Sequence, residues 1–469
     1  MSRLLDKAIM AGLLLAVIFT ALAHGAVEVW SVALFELMIV ALVLLWAIKW
    51  VVDRRLKIAI PRAALPVIAL LLYALAQAIT FPDGAGGVRS LSMDFEATRR
   101  SASVLFFLLV SFIICANFFV SPKRLRALAY FIVIYGVVMA MFALVQHFTW
   151  NGKFYWVVPN TRSASPFGTF VSHNHFSGYM EMLFPLPVAL IMMRAESREA
   201  RLFFGFAAAI MVVAAITSLS RGGMISIAAT SIFLALWKWK IRSEIRRRAA
   251  YVEGQASRPF ALFKRLALVA SVMVAMAIGL IWIGPDRVVN RLTTGSLAGE
   301  AGQGETFYSS RGWIWRDTIS MIRANPVLGV GFGAYETVYP AYSESNGLLH
   351  VGEAHNDYLQ ILADCGVVGG LLAVWFLWSV FGSISRGVRS RDRLLAGLAL
   401  GAGAGVFAIL VHSFLDFNLQ LISNVLLFMM LLAVVSQVER LTTIEGKAQS
   451  GLAKASGPAN IIARGAQSR

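Results

Sequence analysis

The stretch HVGEAHNDYLQILADCGVVGGLLAVWFLWSVFGSIS, residues 350–385, begins polar and ends greasy. Its last part, residues 366–385, contains no charged side chain. At 1.5 Å per residue, a helix of about twenty residues crosses the ~30 Å hydrocarbon core of a bilayer. An all-round apolar helix has no stable place in water. The stretch therefore reads as a border between a polar loop and a membrane span. On that border stands an ionisable imidazole, His355, followed by Asn356, Asp357 and Tyr358.

Runs of the same kind recur in both directions. Spans are expected at 8–24, 31–52, 63–81, 103–120, 127–148, 176–193, 202–219, 222–239, 266–284, 366–385, 394–412 and 420–437, twelve in all. With 58% hydrophobic and 14% charged residues, the chain is an all-α polytopic membrane protein. Barrel strands show weak alternation over about ten residues, which these unbroken runs exclude. The net charge of +17 has a topological meaning. If the N-terminus is cytoplasmic, 31 of the 42 Lys and Arg residues fall in inside segments and 11 outside. That is the positive-inside bias, it places both termini in the cytoplasm, and it argues against nucleic acid as a partner. The first residues, RLLDKAIMAGLLLAVIFTALAHGA, mimic a signal peptide, but a retained span is expected. Cys115 and Cys365 lie in or beside spans and indicate no disulfide framework.

The organisation follows. Residues 1–284 carry spans one to nine, with a basic inside loop at 240–265. Residues 285–365 form a large outside loop, too long for a mere connector. Spans ten to twelve occupy 366–438, and 439–469 reads as a disordered inside tail. Within the large loop, SSRGWIWRDTISMIRANP predicts a helix capped by Ser309 or Ser310, with Trp315, Ile319 and Ile322 on one face and Pro326 limiting its end. LGVGFGAYETVYPAY predicts a glycine turn and a short aromatic helix. HNDYLQILADCG predicts a helix carrying His355, Leu359 and Leu362 on one side. The loop thus reads as a small helical cap on the membrane.

Candidate functional groups gather at the outside ends of spans. Arg221, in SLSRGG, is a lone basic residue against the topological bias. Its neighbours Gly222 and Gly223 would let a ligand approach the backbone. Arg311 and Arg316 belong to the loop helix, where guanidinium groups suit a phosphate ligand and Arg316 can also pair with Asp317. Trp313 and Trp315 read as interface anchors. His355 has Asn356 and Asp357 to orient its ring, and imidazole is suited to accepting a proton near neutral pH. FVSHNHFSGYMEM supplies His173, Asn174, His175 and Glu181, and VHSFLDFNLQ supplies His412, Asp416 and Asn418. A hydrogen-bonding role behind the reacting groups is expected for these, since no paired-cysteine or HExxH pattern points to a metal. Nucleotide-binding glycine patterns are also missing.

Taken in order, SRGG, then SSRGWIWRDTISMIRANPVLGVGFGAYETVYPAY, then HNDYLQILADCGVVGG, the chain resembles the O-antigen ligase and polymerase family of bacterial envelope enzymes. The resemblance is strongest over residues 165–420, and the first five spans match in hydropathy only. It implies a GT-C-like fold in the inner membrane and a periplasmic large loop. The implied reaction moves a glycan from undecaprenyl diphosphate to an acceptor hydroxyl with inversion, using no nucleotide sugar, cofactor or metal. It also implies one histidine base, His355, and diphosphate-binding arginines Arg221 and Arg311, with Arg316 a weaker match. Asn356, Asp357, His175, His412 and Asp416 would support them. The acceptor is expected to be lipid A–core, as in the ligases. The alternatives are a second lipid-linked glycan, as in a polymerase, and a transporter of lipid-linked sugar.

Overall fold

The computed structural model describes residues 1–55, 58–82, 87–160, 165–253, 307–343 and 350–455. Helices α1 (Ser2–Leu22), α2 (Val29–Asp53), α3 (Ala64–Gln77), α4 (Phe95–Phe118) and α5 (Pro122–Phe148) form the first part of the bundle. They are followed by α6 (His173–Leu183), α7 (Pro185–Met193), α8 (Arg198–Thr217) and α9 (Arg221–Glu253). A cap contributes α10 (Phe307–Ala324) and the short α11 (Tyr335–Val338). The bundle closes with α12 (Asp357–Gly387), α13 (Arg393–His412) and α14 (Ile422–Ala455). Two small antiparallel hairpins, Thr80–Pro82 with Val88–Ser90 and Lys153–Phe154 with Val158–Pro159, are the sheets among the described residues.

Ten of the described helical segments are long and apolar enough to cross a membrane, α6 and α7 together making one of them. Each coincides with an expected span. The expected span at 63–81 is α3, an apolar helix of 14 residues, and the one at 266–284 lies outside the described residues. The reason for so much apolarity differs along the chain. Helix α2 turns Leu37, Leu44 and Val51 outward, as a lipid-facing span does. The most apolar stretch of α14 is instead buried throughout by other helices. Helix α13 packs closely on α6 and α7, because its glycines admit neighbouring backbone: a methyl group on Gly405 would stand 2.4 Å from the Met182 carbonyl oxygen.

Ion pairs collect at one end of the bundle. Lys49 bridges Asp6 and Asp53 there, Arg126 reaches Glu196, and both Arg62 and Arg386 reach Glu439. Helix α14 passes Glu439 and continues to Ala455, and α9 continues to Glu253. Both run as helix through ground expected to be a disordered tail and a loop; their basic and polar side chains do not forbid helix once a span has nucleated it.

The cap has a core of its own, built from Met321, Val330, Ala334, Tyr335, Val338, Tyr339, Ala354 and Ala363. Helix α10 faces it with Ile314, Thr318, Met321 and Ile322; of the expected Trp315, Ile319 and Ile322 stripe, Ile322 packs against this core whereas Ile319 is exposed. The burial of Asp317 and Thr318 explains the rotation, since Tyr339 donates to Asp317 and Thr318 bonds the Tyr335 hydroxyl. Ser309 and Ser310 lie inside this helix instead of capping it.

Cap and bundle join at a break in α12. Gly366 adopts φ 58° and ψ −153°, interrupting the helix at the expected loop–span border. The Val367 amide freed by the break donates to the Pro326 carbonyl at 2.9 Å. A methyl group on Gly366 would lie 2.4 Å from the Val327 carbonyl oxygen. Gly366→Ala adds that collision to the cost, about 1–3 kcal/mol, of a backbone conformation open essentially to glycine alone. The variant is expected to unfold several degrees below the parent in detergent, and an unchanged thermal midpoint would contradict the junction described.

Candidate active site

His355 does not ride on the helix that the sequence predicts. Helix α12 starts two residues later, because the Asn356 side chain accepts from the amides of Tyr358 and Leu359 and caps it. His355 itself has φ 50°, a left-handed conformation that costs about 1–2 kcal/mol for a residue with a side chain. Its neighbours hold it there. The Ala354 carbonyl accepts from the Trp315 indole at 3.0 Å, and the Ala354 amide donates to Gln360 at 2.8 Å. Trp315 therefore ties the cap helix to the histidine segment, a different task from anchoring at the membrane interface.

The HNDY motif is fastened residue by residue to the turn between α13 and α14. The Asn356 amide group donates to the Phe414 carbonyl at 3.1 Å. The Asp357 amide donates to the Ser413 carbonyl, and its carboxylate accepts from the Ser413 hydroxyl at 2.7 Å and the Leu419 amide at 3.2 Å. The Tyr358 hydroxyl donates to the Leu410 carbonyl at 2.7 Å. Last, His355 Nδ1 lies 3.2 Å from Asp416 Oδ1.

Asp416 is the junction of the site. Its other oxygen, Oδ2, faces Arg311 Nη2 at 3.6 Å, and Arg311 also donates to the Leu415 carbonyl. The Asp416 side chain is only 2% exposed. Burial alone would push such a carboxyl up; the Arg311 charge and the His355 contact outweigh it and hold Asp416 well below the usual carboxylate range. An ionised carboxylate only accepts, so Nδ1 of neutral His355 carries the hydrogen. The lone pair then sits on Nε2, and the ring is one-third exposed. That is the arrangement a general base needs.

Around this centre, the Phe417 ring lies edge-on to His355 at 4.8 Å and to His175 at 4.7 Å. His412 bonds both oxygens of Glu181, and its carbonyl accepts from the amides of Leu415 and Asp416, which shapes the turn. Arg221 opens α9, beside Gly222, whose backbone lies against the His412 ring. Gly222 and Gly223 thus make room for protein side chains and not for a ligand, a correction to the expectation from SRGG. Arg316 does not join the cluster. Five residues separate it from Arg311, about 140° around the helix, and it lies over Trp313 and pairs with Asp317. Nearby, a cavity of about 230 Å³ is walled by Val67, Leu70, Phe376 and Phe428, with Asp357 and Ser413 also in its lining.

Sequence reasoning gave Asp416 a supporting part and missed Phe417 and Ser413. Their signal was the polar interruption VHSFLDFNLQ between two spans, where a charge without a partner is costly.

These helices and this cluster define a polytopic α-helical membrane protein with an Arg–Asp–His site at one end of its bundle. Residues 206–374 match the family model described as O-antigen ligase. This match over part of the chain supports the resemblance to the O-antigen ligase and polymerase family, whose members are membrane glycosyltransferase-like enzymes acting in general on lipid-linked glycans and acceptors. The matched segment contains Arg221, Arg311 and His355 and ends before Asp416. No curated protein matches the chain.

The Asp416 carboxyl links the site to pH. Its pKa is depressed by folding, so its contribution to stability is complete above about pH 4 and is lost as pH falls through the depressed value. Asp416→Asn is expected to cost about 3 kcal/mol near neutrality. Unfolding measured against pH should show the gap between parent and variant closing in acid; a gap independent of pH would show that the carboxylate is not held ionised.

Proposed function

We propose that this protein is a metal-independent, inverting glycosyltransferase of the inner membrane. It would move a glycan from undecaprenyl diphosphate to an acceptor hydroxyl at the periplasmic face, as an O-antigen ligase with lipid A–core as acceptor. The observation that carries this reading is the single carboxylate, Asp416, shared between His355 and Arg311. It puts a base and a cation beside each other without letting them neutralise each other's function.

In this reading the acceptor hydroxyl donates to His355 Nε2 as its oxygen attacks the anomeric carbon. The bond from that carbon to the diphosphate oxygen breaks on the opposite side, which inverts the centre. The proton stays on His355, and ionised Asp416 stabilises the imidazolium formed. The diphosphate leaves with an added negative charge. Guanidinium forks from Arg221 and Arg311 oppose it, and Arg311 has five N–H donors, enough to serve Leu415, Asp416 and a phosphate oxygen. Because the leaving group is already stable, no strong general acid is required. The apolar cavity beside Asp357 and Ser413 is suited to an isoprenyl chain, leaving the diphosphate at the cluster. The bias of Lys and Arg supports a cytoplasmic position for both termini, opposite the cluster.

Purified protein in lipid discs, given a glycan on undecaprenyl diphosphate, decides the matter. With lipid A–core supplied, joined product is expected, and His355→Ala should lower kcat by about 10²–10⁴. Extension of a second lipid-linked glycan in its place would assign the protein to the polymerases. Undiminished joining by the variant would remove His355 as base.

A further inference from the structure

Beside the cluster lies a buried polar group that the reaction above does not use. Glu181 on α6 is completely buried, as is Ser177 one turn earlier, and His412 at the end of α13 is 1% exposed. The Ser177 hydroxyl donates to Glu181 Oε1 at 2.7 Å, and His412 Nδ1 lies 3.2 Å and 3.1 Å from the two Glu181 oxygens. Burying such polar groups costs desolvation free energy, and well-packed apolar residues of similar volume hold helices together as well or better. Helix adhesion alone therefore gives a weak reason for these residue types.

Their neighbours give a stronger one. The backbone of α9 is pressed onto this group by the two residues that follow Arg221. A methyl group on Gly222 would stand 2.5 Å from His412 Nε2. One on Gly223 would stand 1.9 Å from Ser177 Oγ and 2.7 Å from Glu181 Oε1. The Gly223 amide is also fixed, donating to Ser220 Oγ at 3.2 Å. On its other side, His412 shapes the turn that carries Asp416, through its carbonyl. One polar group thus touches both the start of the Arg221 helix and the base of the Asp416 turn.

We infer that Ser177, Glu181 and His412 form a positioning bracket that sets Arg221 relative to the Arg311–Asp416–His355 cluster, so that both arginines reach one diphosphate. The hydrogen bonds fix the directions of the side chains, and the glycines let the α9 backbone rest directly on them. Apolar side chains would fill the volume without fixing an angle. The inference rests on the proposed role of Arg221 in binding diphosphate. These three are positioning residues, since none is assigned contact with substrate.

Equilibrium binding of undecaprenyl diphosphate to the full chain in lipid discs tests the bracket without turnover, with the thermal midpoint measured alongside. Glu181→Gln keeps shape and an acceptor for Ser177; it should raise Kd about tenfold or more, a loss of roughly 1.4 kcal/mol. In an Arg221→Gln background the same change should add less than about twofold, because the group being positioned is gone. Equal effects in both backgrounds, or a Kd that Glu181→Gln leaves unaltered, would overturn the inference and assign the pair to packing. If Glu181→Gln does not fold, Gly223→Ala decides: its methyl group displaces Ser177 and Glu181, so it should weaken binding, and by less than about twofold in the Arg221→Gln background. Gly223→Ala binding as tightly as the parent would equally overturn the bracket. If the parent binds while Arg221→Gln is weakened and Glu181→Gln is not, the bracket alone fails. If the parent shows no binding, the diphosphate reading fails and takes the bracket with it.

Discussion

A carboxylate two per cent exposed to solvent must be compensated, and at Asp416 the compensation comes from two directions. Arg311 arrives from the cap, His355 from the segment before α12, and Asp416 from the turn between α13 and α14. Three parts of the chain far apart in sequence are thereby fixed to one point. The geometry also sets the chemistry. The carboxylate that balances Arg311 through Oδ2 also defines, through Oδ1, which nitrogen of His355 carries a hydrogen, so the cation cannot be moved without disturbing the base.

The surrounding bonds make that arrangement rigid. Each residue of HNDY bonds a separate partner in the 410–419 stretch, and the cap contributes through Trp315 and the Ala354 carbonyl. The left-handed backbone of His355 is a local cost of about 1–2 kcal/mol. Capping of α12 by Asn356 offsets about 1 kcal/mol of it. A strained residue held by well-bonded neighbours is common where a side chain must be aimed.

Much of this was legible in the sequence because the membrane imposes a coarse rule. A run of about twenty apolar residues has one stable fate in a lipid environment, so span positions could be read directly. Arg221 and His355 stood out as polar groups at the ends of spans and Arg311 as a charge in the loop helix, and the fold brings Arg311 and His355 together on Asp416. Contacts between distant segments were not. Nothing in the spacing of VHSFLDFNLQ says that Asp416 meets Arg311, since that depends on how the cap sits on the bundle. Arg316 shows the same limit from the other side: its type and neighbourhood fit a phosphate, and only its position on the helix turns it toward Trp313 and Asp317. The glycines of SRGG were recognised as a place of close approach, but what approaches is His412, Ser177 and Glu181.

The interruption of α12 at Gly366 carries a mechanical consequence. Residues 357–365 are pinned to the cap and to the 410–419 turn, whereas Leu371, Val374 and Trp378 beyond the break face outward. An unbroken rod would act as a lever, carrying every tilt imposed by a thicker or thinner bilayer straight to His355. With its backbone bonds handed over to Pro326 and Val327, the rod becomes two pieces joined by a hinge pin. The outer piece can follow the lipid, and the inner one keeps the imidazole in register with its carboxylate.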